Sequence, residues 1–296
     1  HRDLHSFPTR RSSDLGSKTY IMGILNVTPD SFSGDGLMAQ KDVVKAALAQ
    51  ALQFIDSGAD ILDIGGESTR PGSLPVSEGE ELERILPVVE ALVKLNLDTL
   101  ISIDTSKAVV ASACLQAGAH WINDVWALRA DENMVKVAAE SGAPIVLMHN
   151  RSQPKGVLWQ DRLGGQYIGA EYSDVIEDIK RELMESVTFA LENGIKKEQI
   201  ILDPGLGFGK KVEHNLELVN RLDEFKTLGY PILLGPSRKS FIGYTLDLPP
   251  DQRLEGTAAV CAIAVTRGVD ILRVHDVAAI VRVARISDAI IRKKTA

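Results

Sequence analysis

The sequence predicts an α/β protein folded as one (β/α)8 barrel, and three observations carry that reading. Eight short aliphatic or β-branched runs recur along the chain, each leading through a polar loop into a stretch with helical apolar spacing. No linker or shift of composition interrupts the series. The 296 residues also suit a single large barrel, a fold that commonly takes roughly 250.

Taken in order, the expected strands are YIMGILNV (20–27), ADILDIGG (59–66), LISIDTS (100–106), WINDV (121–125), PIVLMHN (144–150), QIILDPG (199–205), PILLGPS (231–237) and DILRVHD (270–276). Their nearly continuous apolar character marks strands buried on both faces, as in a parallel sheet covered by helices. Helices are expected between them. Examples are VVKAALAQALQFIDSG after the first strand, ELERILPVVEALVKL after the second and YSDVIEDIKRELMESVTFALENG after the fifth. Several stop at a glycine before the next strand, as helix C-termini often do. A doubly wound open sheet is the structural rival; eight units in this length favour closure.

With 45% hydrophobic and 25% charged residues, the chain has ample material for a core and no sign of general disorder. A net charge of −7 argues against a broad nucleic-acid footprint while leaving room for a local basic pocket. Cys114 and Cys261 lack metal-type spacing and read as reduced core residues of a cytoplasmic protein. No apolar run approaches the ~20 residues that span a bilayer. The opening HRDLHSFPTRRSSDLG is polar and unperiodic and lacks the apolar centre expected of a secretory leader. Residues 1–16 are therefore set aside as a non-native or disordered tail, leaving 17–296 as the barrel.

Every predicted strand ends in polar or reactive groups: Asn26, Asp63, Asp104, Asn123, His149, Asp203, the Ser237–Arg238–Lys239 run, and Arg273 with His275. Any one of them could be a helix cap or an Asx turn. Eight at corresponding ends converge on one face of a barrel, where barrel active sites lie. Asp63, Asp104 and Asp203 accept hydrogen bonds, and Asn123 both accepts and donates, which suits a flat heterocycle with amino and ring N–H donors. Lys239 can donate to a ring carbonyl, and Arg273 can stack on a ring or meet an anion. Asn26, Arg273 and His275 suit phosphate oxygens, with or without a hard divalent cation. DPGLGFGK (203–210) fits neither common glycine-rich phosphate motif, so its glycines are expected to let the loop approach a ligand closely. His149 has no HxxH-type partner and reads as a polar residue of the barrel mouth.

Seven segments, in order, resemble the signatures of the dihydropteroate synthase family. They are MGILNVTPDSFSGDG (22–36), DIGGESTRPGS (63–73), ISIDTSK (101–107), INDV (122–125), DPGLGFGK (203–210), GPSRKSFIG (235–243) and RVHDV (273–277). The resemblance runs from about residue 20 to the C-terminus. It implies a Mg2+-dependent TIM barrel, usually a homodimer, with the active site at the C-terminal strand ends. The implied reaction joins 6-hydroxymethyl-7,8-dihydropterin pyrophosphate to 4-aminobenzoate, releasing pyrophosphate and giving 7,8-dihydropteroate for folate synthesis.

The resemblance also implies roles. Asp63, Thr69, Asp104, Asn123, Met148, Asp203, Lys239 and Arg273 would form the pterin subsite. Asn26, Arg273 and His275 would receive the pyrophosphate, with Asn26 on the metal. Thr28, Arg70, Pro71, Phe208, Lys239 and Ser240 would line the aminobenzoate side, and Arg70, Lys239, Arg273 and His275 would serve catalysis. The loops after the first two strands would close over the reactants. The chain reads SFSGDG where the family often has SFSDGG, and MHNRSQP where some members have MHMQG. Two other readings share the barrel: a pterin-binding domain that passes a methyl group to a cobalamin protein, and a non-catalytic pterin-binding paralogue. The first would not need the STRPG and SRKS loops together with RxH, and intact Asn26, Arg70, Lys239, Arg273 and His275 argue against the second.

Overall fold

A computed structural model describes residues 15–28, 40–68, 73–152 and 157–292. Its eight-stranded parallel sheet comprises β1 (Tyr20–Asn26), β2 (Ile61–Gly65), β3 (Leu100–Asp104), β4 (Trp121–Asp124), β5 (Ile145–Met148), β8 (Ile200–Asp203), β9 (Leu233–Leu234) and β10 (Ile271–Val274). Each falls inside one of the eight predicted runs. The sheet order is β8-β5-β4-β3-β2-β1-β10-β9. The seam between β8 and β9 is drawn together by a parallel bridge, Leu202 to Ile232, with the Leu202 N–H donating to the Pro231 carbonyl at 2.9 Å. The sheet is thus a barrel, not an open doubly wound layer.

Side chains alternate across each strand, and this alternation separates two apolar regions. Tyr20, Met22, Ile61, Leu100, Trp121, Val146, Ile201, Leu233 and Ile271 point inward and fill the barrel floor. The opposite faces of the strands pack against the surrounding helices: α1 (Gln40–Asp56), α2 (Glu78–Lys94), α3 (Ala108–Gln116), α4 (Met134–Ser141), α5 (Val175–Glu192), α6 (Val212–Asn220), α7 (Ser240–Leu246), α8 (Leu254–Thr266) and α9 (Val277–Ile291). Two residues above the apolar floor, the same inward positions become Asp63, Asn123 and Arg273. The floor sets the depth of the polar site.

One feature escapes the strand pattern. An antiparallel hairpin, β6 (Val157–Gln160) with β7 (Gly164–Tyr167), lies in the connection between β5 and α5. Its strands are short and run from half-buried to exposed, so no buried apolar run marks them. Its turn is tied down by carbonyls: Arg253 donates to Leu163 O at 2.8 Å and Tyr244 to Gly164 O at 3.3 Å. Leu15 and Gly16, set aside with the tail, already touch the barrel; Leu15 packs at the floor and Arg292 donates to the Gly16 carbonyl.

A buried ion cluster anchors the loop after β2. Lys107 Nζ donates to Glu67 Oε2 at 2.5 Å and to Glu81, which is wholly buried in α2. Glu67 Oε1 accepts from the Val76 N–H at 3.1 Å, joining the two ends of the loop. Lys107→Met would leave the Glu81 carboxylate buried without its cation. Stability is expected to fall by about 3 kcal/mol, measured by urea unfolding; a change under half of that would show the cluster to be dispensable.

Candidate active site

The polar layer above the floor is built around Arg273 on β10. Its Nε donates to Asp63 Oδ2 at 2.5 Å, and its Nη2 donates to Asp104 Oδ2. Asn123 Nδ2 donates to the same Asp63 oxygen at 2.9 Å. Asp63 and Asn123 lie on β2 and β4, on either side of β3, and Asp104 ends β3. Four of the expected pterin residues therefore form one hydrogen-bonded group. Asp63 Oδ1 is buried with no partner among the described residues.

Burial dominates the electrostatics here. It pushes the Asp104 carboxyl up to about 7, against the pull of the Arg273 guanidinium and with help from Asp63. Burial alone would lower Arg273, but the Asp63 and Asp104 carboxylates more than offset it and hold the guanidinium firmly protonated. Asp203, at the end of β8, is also raised by burial, opposed by the Gly205 N–H, which donates to its Oδ1 at 2.7 Å, and then by Lys239. The site is a low-dielectric pocket holding three carboxyls near fixed cations.

Met148, Phe208 and Val125 form a small apolar cluster with Trp126 beside this group. Lys239 Nζ lies 4.1 Å from the centre of the Phe208 ring, close enough for a cation–π contact. Ser240 follows Lys239 and opens α7. Arg238, before Lys239, has a φ of 56°, a left-handed conformation that a side chain rarely adopts. Three contacts hold it there. Its N–H donates to Thr257 Oγ1 at 3.0 Å, its carbonyl accepts from Arg253 Nη1 at 3.0 Å, and its guanidinium pairs with Asp276. Ser237 Oγ lies 3.0 Å from His275 Nδ1 and accepts the His275 backbone N–H at 3.1 Å, fixing the end of β10. Asn26 and Thr28 stand half-buried at the end of β1, next to β10 in the sheet.

Thr69, Arg70, Pro71 and the SFSGDG segment lie outside the described residues. The other expected site residues lie from the middle of the strands onward or in the loops that follow their C-terminal ends. Sequence reasoning missed the supports beneath them. Lys210 and Arg253 are 4% and 2% exposed, and each is held largely by backbone carbonyls, which leave no trace in side-chain spacing. For Lys210 a signal did exist, in the GK that closes DPGLGFGK. His149, expected at the mouth, is 3% exposed and engaged on both ring nitrogens.

Comparison with known proteins agrees with this geometry. The family model described as "Pterin binding enzyme" matches residues 22–275. The dihydropteroate synthase of Bacillus subtilis (strain 168) is 48% identical over 290 residues, covering 98% of this chain and 94% of the relative. A dihydropteroate synthase from Clostridium difficile, solved in the presence of pteroic acid, superposes with a TM-score of 0.85 at 49% identity, covering 95% of this chain and 99% of that one. The Yersinia pestis dihydropteroate synthase, solved with a sulfonamide drug complex, gives 0.84 at 42% identity over 94% and 96%. The chain belongs to the dihydropteroate synthase family of pterin-binding enzymes.

Proposed function

We propose that this chain condenses 6-hydroxymethyl-7,8-dihydropterin pyrophosphate with 4-aminobenzoate, giving 7,8-dihydropteroate and pyrophosphate. The observation that carries the reading is the convergence of buried Asp63, Asp104, Asn123 and Asp203 beside the Met148 and Phe208 side chains. A flat ring bearing N–H donors on its edge matches such a pocket, and the pteroic acid accompanying the Clostridium relative is a compound of this kind. Lys239 is assigned to the ring carbonyl and to the aminobenzoate side, which Phe208, Ser240, Thr28, Arg70 and Pro71 complete.

In this reaction the bond between the pterin methylene carbon and oxygen breaks, and pyrophosphate leaves with the electron pair. The amine nitrogen of aminobenzoate forms the new bond and gives up a proton. The protein needs no nucleophile of its own. Its carboxylates favour the cationic ring, while Arg273 and His275 meet the departing charge. Preorganised charge of this kind is often the largest catalytic contribution, with one donor worth roughly 3 kcal/mol. Holding the amine in line adds to it.

Mg2+ belongs to the proposal. Among the described residues no three His, Cys, Asp or Glu side chains converge on a metal position, whereas Asn26 offers an amide oxygen at the mouth. This donor set fits a hard cation held largely by water and substrate phosphates. When bound, the ion supplies positive charge to the pyrophosphate, with Asn26 holding it. A homodimer is supported by apolar side chains on the outer surfaces of neighbouring helices: Ile263 on α8, and Ile286 and Ile290 on α9. A cytoplasmic location is supported by the free, buried thiols Cys114 and Cys261. No helix among the described residues is long and apolar enough to cross a membrane.

A coupled assay tests the activity. Pyrophosphate should appear only when both substrates are present; release without the arylamine, or none at all, would overturn the proposal. Sulfonamides carry an aryl amine opposite an acidic group and should compete with 4-aminobenzoate, because the segments carrying Phe208, Lys239 and Ser240 match the family pattern with no insertion or substitution to exclude the bulkier molecule. Competitive kinetics are expected. Full activity at drug concentrations far above the substrate would show that the site discriminates between them.

A further inference from the structure

Beneath the glycine-rich turn after β8 lies a chain of polar groups to which the reaction assigns no part. Lys210 is buried, and its ammonium makes three contacts: 2.9 Å to His149 Nδ1, 2.8 Å to the Gly205 carbonyl and 3.2 Å to the Phe208 carbonyl. Glu182 is held ionised by its hydrogen bonds to His149 and Arg151 and can only accept, so the His149 ring proton sits on Nε2 and Nδ1 accepts from Lys210, whose own pKa burial pushes down to about 7. His149 Nε2 lies 3.1 Å from Glu182 Oε2 on α5, and Glu182 is held in turn by Arg151. The same arrangement keeps His149 neutral: burial, then the Lys210 charge, push the imidazole down to about 3.

The turn above Lys210 is equally constrained. Gly205 has a φ of +72°, and a Cβ there would sit 1.8 Å from the His149 carbonyl oxygen, so this turn is pressed directly onto the end of β5. On its far side, Asn215 Oδ1 accepts the Gly207 N–H at 2.7 Å and Asn215 Nδ2 donates to the Lys211 carbonyl at 2.8 Å. Phe208 projects from the middle of this turn toward Lys239.

We propose that Lys210 is a positioning residue for the aminobenzoate subsite: its three hydrogen bonds fix the turn that aims Phe208 at Lys239, and His149 and Glu182 hold Lys210 in register. Asp203 is anchored by its backbone in β8, paired with β5, and meets this turn through the Gly205 N–H and the Lys210 charge, so the pterin edge depends on Lys210 less than Phe208 does. The inference rests on the assignment of Phe208 to the aminobenzoate side.

Lys210→Met and Glu182→Gln test it, with Phe208→Ala measured in parallel. For Lys210→Met the KM for 4-aminobenzoate should rise roughly tenfold, while the Kd of the pterin pyrophosphate moves by less than about threefold. Glu182→Gln retains an acceptor for His149 but loses the charge, and should raise the same KM by about twofold to threefold. A merely structural role would lower the melting temperature and the active fraction without moving either constant, and that result overturns the proposal. So does an equal loss for both substrates. If Lys210→Met does not fold, Glu182→Gln decides by the same criterion. If Phe208→Ala itself leaves the aminobenzoate KM unchanged, the subsite assignment fails instead.

Discussion

Arg273→Ala should lower kcat/KM by about three orders of magnitude, at the upper end of what one preorganised charge supplies, and stability by about 3 kcal/mol. Both effects follow from its position. The guanidinium is the cation shared by Asp63 and Asp104, and it stands where ring and leaving group would meet. Removing it takes from Asp104 the attraction that opposes burial, so a carboxyl already raised to about 7 rises further. A carboxyl with a folded pKa above its unfolded value binds more protons when folded, so its cost to stability grows as pH rises. The variant should therefore recover part of its lost stability between about pH 8 and about pH 5. Urea unfolding across that range checks it. A deficit that widens on acidification, or near-normal turnover, would remove Arg273 from the centre of the site.

Asp203→Asn should reduce pterin affinity by about tenfold to hundredfold, the cost of a buried mismatch of about 1–3 kcal/mol. The substitution separates two jobs of one side chain. An asparagine Oδ1 can still accept the Gly205 N–H now held by Asp203 Oδ1, so the turn survives. The other oxygen becomes an N–H2 group directed at the N–H donors of the ring. Thermal stability should hold or improve slightly, because burial disfavours the charge that is lost. Calorimetry with the dihydropterin substrate, alongside a melting curve, is the check. Unchanged affinity would place the ring elsewhere.

These residues were legible in the sequence for a physical reason. A parallel barrel buries each strand on both faces, so its strands read as apolar runs, and a polar residue at the end of such a run stands out. Asp63, Asp104, Asn123, Asp203 and Arg273 were found in this way. The strand pattern alone also favoured a closed barrel over a doubly wound sheet, and the Leu202–Ile232 bridge draws that seam together.

What the pattern could not show was support through the backbone. Lys210 and Arg253 donate largely to carbonyls, which every residue carries. Glu182 meets His149 across 33 positions, from a helix whose own periodicity marks it only as polar. The β6–β7 hairpin was invisible because its strands are short and no more than half-buried, and its turn depends on Arg253, ninety positions away. Arg238 carries no sign of the left-handed turn that Arg253 and Thr257 impose on it.

In the proposed function the strand ends hold the pterin and the turn at Phe208 holds the aminobenzoate. A crystal structure with 7,8-dihydropteroate bound tests both at once. The ring edge should lie against Asp104, Asn123 and Asp203, with the benzoate beside Phe208, Lys239 and Ser240. Density for the ring outside this carboxylate layer, or a reversed molecule with its benzoate on Asp203, would contradict the account.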